Sequence, residues 1–199
     1  DNFVYENGIF YTKDRKEIIS VVPSAKGDLV VAEGITTLRN YALAGCIGIK
    51  RLVLPTTITN LGNESMAGCH SLAEIKVLAQ QPPKVGKDPL LSSRINSIIL
   101  RVPIDTKKTY RGWAGIPYRN IKEFGSIVTV RNTVRAYGEA NPKFGYSVRG
   151  EYFEGKPEIT CEANEKSPVG KYDIRIDYGT ITDKSIQLVG GVLTVDKAT

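Results

Sequence analysis

The chain is poor in residues that do chemistry. Of its 199 residues, one is histidine, one methionine, one tryptophan and three are cysteine. A single histidine excludes metal centres built on paired imidazoles. There is no His-x-Glu pair, no nucleophile elbow and no glycine-rich phosphate loop opening a helix. Gly190-Gly191 reads as the closure of a hairpin, and His70 as a solvated loop residue. No apolar run reaches ~18 residues, so no direct membrane insertion by a helix is expected. No catalytic, cofactor-binding or metal-ligating residue is therefore expected, and no cofactor. The chain starts at Asp1-Asn-Phe-Val-Tyr5 without an initiator Met and stops at Asp196-Lys-Ala-Thr199. It reads as a mature product or an excised piece of a longer polypeptide with further domains, any export signal lying upstream.

Charge is unevenly placed. Residues 1–124 hold 17 Lys/Arg against 11 Asp/Glu, and residues 125–199 hold ten of each. The whole net charge of +6 sits in the first part, a modest bias toward acidic partners. No Arg-rich run or basic helix is present, so no nucleic-acid role is expected.

What is present is a 23-residue echo. Leu29-Val-Val-Ala-Glu-Gly-Ile-Thr-Thr-Leu38, with Tyr41-Ala-Leu-Ala-Gly-Cys46, recurs as Leu52-Val-Leu-Pro-Thr-Thr-Ile-Thr-Asn-Leu61, with Glu64-Ser-Met-Ala-Gly-Cys69. A fixed period of this size marks a solenoid. Strands at Leu29–Val31, Leu52–Leu54, Ile75–Val77 and Ile98–Leu100 keep the period. Alternation then predicts inward rows Leu29/Leu52/Ile75/Ile98 and Val31/Leu54/Val77/Leu100. Outward rows are Val30/Val53/Lys76/Ile99 and Asp28/Arg51/Glu74/Ser97. These either hold strand register or form a binding strip; the candidate partner-binding face is Arg51, Val53, Glu74, Lys76 and Ile99. Asn40–Gly45 and Glu64–Gly68 read as short helical turns stopped by glycine.

Cys46 and Cys69 fall on equivalent coil positions. Their parallel Cβ directions suit free buried thiols better than a disulfide. Residues 1–23 read as a β-hairpin cap, and 79–96, with Pro82-Pro83 and Pro89, as a loop that breaks the period. Thr106–Trp113 reads as a helix closing the last coil, with Tyr110 and Trp113 as a lid over the core. From 125 on, short β runs alternate with turn residues. This predicts a small all-β domain, an Ig-like sandwich or a β-grasp type, with Cys161 in a strand. Asp173 and Asp177 share a strand face with Arg175 and read as a structural charge cluster. Asn63-Glu-Ser65 fits an N-glycosylation pattern weakly.

The motif Ile35-Thr-Thr-Leu38…Tyr41-Ala-Leu-Ala-Gly-Cys46…Ile49-Lys-Arg-Leu-Val-Leu-Pro55 and its second copy resemble the BspA-like leucine-rich repeats of bacterial surface proteins, over about residues 3–121. Ala136-Tyr-Gly-Glu-Ala-Asn-Pro142, Val148-Arg-Gly150, Val169–Ile174 and Gly190–Val195 resemble an MBG-type surface domain (YGX-like), from about 125 to 199. The resemblance implies two domains, 1–124 and 125–199. The first would be a short capped leucine-rich-repeat solenoid of parallel strands and short helical turns, the second the small all-β domain. It further implies an exported, cell-surface or secreted setting and a non-enzymatic adhesion role. The expected partner is a host extracellular protein or glycan, and the expected state a monomer. An accessory or spacer module of a larger secreted enzyme is the alternative.

Overall fold

A computed structural model describes residues 3–183 and 185–198, so the readings at Asp1, Asn2 and Thr199 lie outside it. Two compact units emerge, Asp1–Glu123 and Phe124–Thr199.

The first unit winds as a β-solenoid. In chain order its strands are β1 (Phe3–Glu6), β2 (Ile9–Thr12), β3 (Glu17–Val21), β4 (Lys26–Val30), β5 (Thr37–Leu38), β6 (Gly48–Leu54), β7 (Asn60–Leu61), β8 (Glu74–Val77), β9 (Lys84–Val85), β10 (Ile99–Pro103) and β11 (Ile121–Phe124). A front sheet runs β11-β10-β8-β6-β4, and a return sheet β1-β2-β3-β5-β7-β9. The hairpin β1-β2 extends to β3, which pairs in parallel with β5. The cap thus continues the return sheet and blocks its open edge. Leu38, Leu52, Leu54, Ile75 and Leu100 are fully buried between the sheets. Each contributes about 1.5–3 kcal/mol of burial.

Four expectations are corrected. The coil turns are not helical: the described residues contain only three 3-10 turns and no α-helix. Tyr41, Glu64 and Asp88 take φ of 61°, 47° and 48°, and Gly45, Gly68 and Ser92 take 74°, 69° and 59°. A left-handed residue at both ends of the turn prevents helical propagation. Second, Asp88–Ser92 is a third copy of that turn, not a break. Ser93 takes the cysteine slot: its Oγ donates to Met66 O at 3.0 Å, as Cys69 Sγ donates to Leu43 O at 3.3 Å. Third, the extra residues stretch the period instead. Asn60 pairs with Lys84, 24 residues on, and Glu74 with Ile99, 25 residues on. Thr106–Trp113 is a run of turns rather than a helix. It still serves as a lid: Tyr110 donates to Ala79 O at 2.7 Å and Trp113 to Pro83 O at 2.9 Å, their rings 6.0 Å apart.

The second unit holds β12 (Ser126–Val130), β13 (Thr133–Ala136), β14 (Tyr146–Gly150), β15 (Glu158–Cys161), β16 (Gly170–Asp177), β17 (Gln187–Val189) and β18 (Gly191–Asp196). They form two sheets, β14-β12-β17 and β13-β18-β16-β15. Val130 of the first packs with Ile174, Leu193 and Val195 of the second. Sheet faces sheet, and no helix lies between them among the described residues, so the arrangement is a sandwich rather than a β-grasp. Gly190-Gly191 does not close a hairpin. It carries the chain from one sheet to the other, where a Cβ on Gly190 would lie 2.6 Å from Ile174 O.

Candidate functional site

The front sheet sets the geometry of the predicted face. Register places Asp28, Arg51, Glu74 and Ile99 in one row, and Val30, Val53, Lys76 and Arg101 in the next. Ile99 therefore flanks Glu74, and Arg101 stands beside Lys76 where a strict period would have put Ile99. Ser97 drops out of its row. The two residues added before β10 cause the slip. A slip of two preserves alternation, so Ile98, Leu100 and Val102 remain buried while Ile99 and Arg101 face outward. All five predicted face residues thus share one side of the sheet.

Charges on this face are paired. Arg51 meets Asp28 at 2.6 Å, and Arg101 meets Glu74 at 2.9 Å. All four are partly exposed, so each pair is worth only about 0.2–1 kcal/mol. Beside them Val30 is 63% exposed, next to half-buried Val53. The surface mixes apolar and charged side chains, and among its described residues no nucleophile is set against a base.

The other predicted groups fall as follows. His70 is exposed. Asn63 Oδ1 accepts from Lys87 N–H at 2.8 Å, while Ser65 is fully buried, so the glycosylation pattern is folded into the coil. Arg175 pairs with Glu162 at 2.9 Å rather than with Asp173 or Asp177, which are exposed. Cys46, Cys69 and Cys161 are free thiols. Burial pushes the Cys69 thiol up to about 12 and raises that of Cys46, so neither is poised as a nucleophile.

Two features escaped the sequence reading. Arg135 is buried in the second unit, its guanidinium donating to Asn141 Oδ1 at 2.8 Å and Ala136 O at 3.0 Å. Asn141 in turn donates to Ala163 O at 2.6 Å, and Glu139 caps the Ala136 N–H at 2.9 Å. The Ala136–Pro142 motif is thus a structural clasp around a buried cation, a role no local pattern announces. The other feature was visible. Residues 106–122 carry five basic and no acidic side chains. Lys107 and Arg111 both lie over the Tyr118 ring, at 4.8 and 4.7 Å from its centre.

Comparison with known proteins adds the following. No curated protein matches the chain. Among solved structures, the pneumococcal vaccine antigen PcpA is similar at 11% identity and a TM-score of 0.29, over 61% of this chain and 46% of that one. The chain therefore spans less than half the length of that protein. Residues 127–194 match the MBG domain (YGX type), a span that holds the clasp motif and five of the seven sandwich strands in full.

Proposed function

We propose that the chain is a non-enzymatic recognition module of a bacterial cell-surface or secreted protein. The solenoid is the recognition head and belongs to the BspA-like leucine-rich type, with non-helical coil turns. The MBG domain folds as a separate carrier or spacer. The partner is an extracellular host protein or glycan, met by Arg51, Val53, Glu74, Lys76 and Ile99.

One observation carries this reading: the outer face of the front sheet sets exposed Val30 and half-buried Val53 beside two ion pairs. A sheet needs no apolar side chain on its solvent side, and a rigid mixed strip costs little ordering on contact. The MBG match supports the surface setting. The test is the combined replacement Arg51→Ser, Lys76→Ser and Ile99→Ser, screened against extracellular matrix proteins and polysaccharides beside the parent. At least a tenfold loss of whatever the parent binds is expected, ~1.4 kcal/mol or more. Unchanged binding by a folded variant refutes the strip.

A further inference from the structure

The coil turns are tied to one another by a repeated pattern of backbone bonds. In the first, Tyr41, Leu43 and Gly45 donate their N–H groups to Asn63, Ser65 and Ala67 of the next coil, at 2.8–3.0 Å. In the second, Glu64, Met66 and Gly68 donate to Lys87, Pro89 and Leu91, at 2.8–2.9 Å. The third turn repeats the conformation, with Asp88 and Ser92 left-handed like their counterparts. Its donors are Asp88, Leu90 and Ser92, and among the described residues no fourth copy of the turn follows. Among the described residues none of these three N–H groups has a backbone partner. The acceptor side is open too. Leu38 O and Leu61 O accept from Gly62 and Gly86, whereas Val85 O has no such donor.

A groove of about 380 Å³ lies against this edge. Its lining includes Val85, Leu91 and Ile95, together with Gly112, Ala114 and Gly115 of the lid segment. Val85 is 37% and Leu91 47% exposed. Ala114, one of the lining residues, is held at φ 50° between left-handed Gly112 and Gly115, a strained arrangement.

We infer that this edge is a docking site for a six-residue peptide segment of a partner protein, bound as the missing fourth coil. The ladder defines the segment. Its first residue donates N–H to Val85 O. Its second, fourth and sixth carbonyls accept from Asp88, Leu90 and Ser92, as those of Asn63, Ser65 and Ala67 accept one coil earlier. The first residue is glycine, because a Cβ at the matching Gly62 or Gly86 lies within 2.5 Å of backbone nitrogen in the coil below. The fifth is apolar, since Met66 and Leu90 occupy that place and turn inward. In the docked segment it fills the groove. This is strand addition to an open ladder, with main-chain bonds giving affinity and one pocket giving selectivity.

The probe is acetyl-Gly-Asn-Glu-Ser-Met-Ala-amide, a copy of residues 62–67, added to the full chain and followed by amide NMR. The expected result is that the Asp88, Leu90 and Ser92 signals shift and their hydrogen exchange slows about tenfold or more. The effect is lost with lysine in place of the peptide's methionine, and lost in Leu91→Asp or Val85→Lys, both partly exposed positions. Protected Leu43 and Met66 amides show that these variants keep their coils. The triple front-strip variant binds the peptide as the parent does, which separates this site from the strip. No shift up to ~5 mM peptide, or a shift indifferent to the methionine, overturns the inference.

Discussion

Gly62→Ala should unravel the solenoid although it adds one methyl group. The backbone there is unremarkable, so the reason is steric. A Cβ on Gly62 would lie 2.4 Å from Asn40 N, and 2.6 Å from both Arg39 C and Asn40 Oδ1. Ordinary carbon contacts begin near 3.5 Å, so the coils must part by about 1 Å. Two bonds hold them at the present spacing: Gly62 N–H to Leu38 O, and Asn63 N–H to Asn40 Oδ1, each 2.8 Å. Parting the coils breaks both. At about 1 kcal/mol per bond, plus 1–3 for overpacking, the cost is about 3–5 kcal/mol. Gly86 repeats the arrangement over Asn63, at 2.4–2.5 Å.

Gly45→Ala is the matched control. No atom lies within 4 Å of its Cβ direction, but φ is +74°. The cost there is conformational, about 1–2 kcal/mol. The assay is thermal unfolding followed by tryptophan fluorescence. The chain has one tryptophan, Trp113, in the solenoid lid, so the signal reports that unit alone. At about 4 °C per kcal/mol, Gly62→Ala should lower the midpoint by about 10–20 °C and Gly45→Ala by about 4–8 °C. Equal losses, or a smaller loss at Gly62, would refute the steric account of Gly62 against Asn40.

Ser65→Ala should act in the opposite sense. Ser65 is fully buried, its hydroxyl has no partner among the described residues, and alanine already fills the same place at Ala42, so a gain of about 1 kcal/mol is expected in denaturant melts. Arg135→Met should destabilise the second unit by about 3 kcal/mol, because Asn141 Oδ1 and the Ala136 carbonyl lose their donor; a neutral result in chemical denaturation would mean that water replaces the guanidinium. Thiol reagents at pH 8 should modify Cys161 quickly and Cys46 and Cys69 only after unfolding, giving one fast equivalent of three. The same two thiols set an alkaline limit. In the unfolded chain a thiol titrates near 9.0, while folded Cys69 holds its proton to about 12. The stability that burial preserves is complete below pH 9 and lost as pH rises toward 12, since the unfolded state releases protons first. Cys69→Ser should flatten that part of the profile, because the serine hydroxyl does not ionise there.

How much of this was legible in the sequence turns on what kind of force fixes each feature. Inward and outward faces were legible because strand alternation is a property of single residues: Leu52, Ile75 and Leu100 are buried, and Arg51, Lys76 and Ile99 face out, whatever the coil does between strands. Register was not, because it depends on how many residues a turn absorbs. Pro82-Pro83 looked like a break, yet the chain closes the same turn one residue later, and the pairings of Asn60 with Lys84 and Glu74 with Ile99 record the cost. The turns themselves misled because Ala-Leu-Ala-Gly reads as a helical stop, while the bonds from Leu43 to Ser65 and from Met66 to Pro89 run between coils rather than within one. Those inter-coil bonds outcompete the four-residue ladder a helix would need. The clasp around Arg135 was invisible for a related reason: its partners, Asn141 and the Ala136 carbonyl, satisfy a charge that sequence alone would have set in water. A repeat protein therefore hides its most specific surface at the place where repetition stops. There the backbone groups that were partners inside the array become free, and at the third turn of this solenoid they lie beside a groove of about 380 Å³.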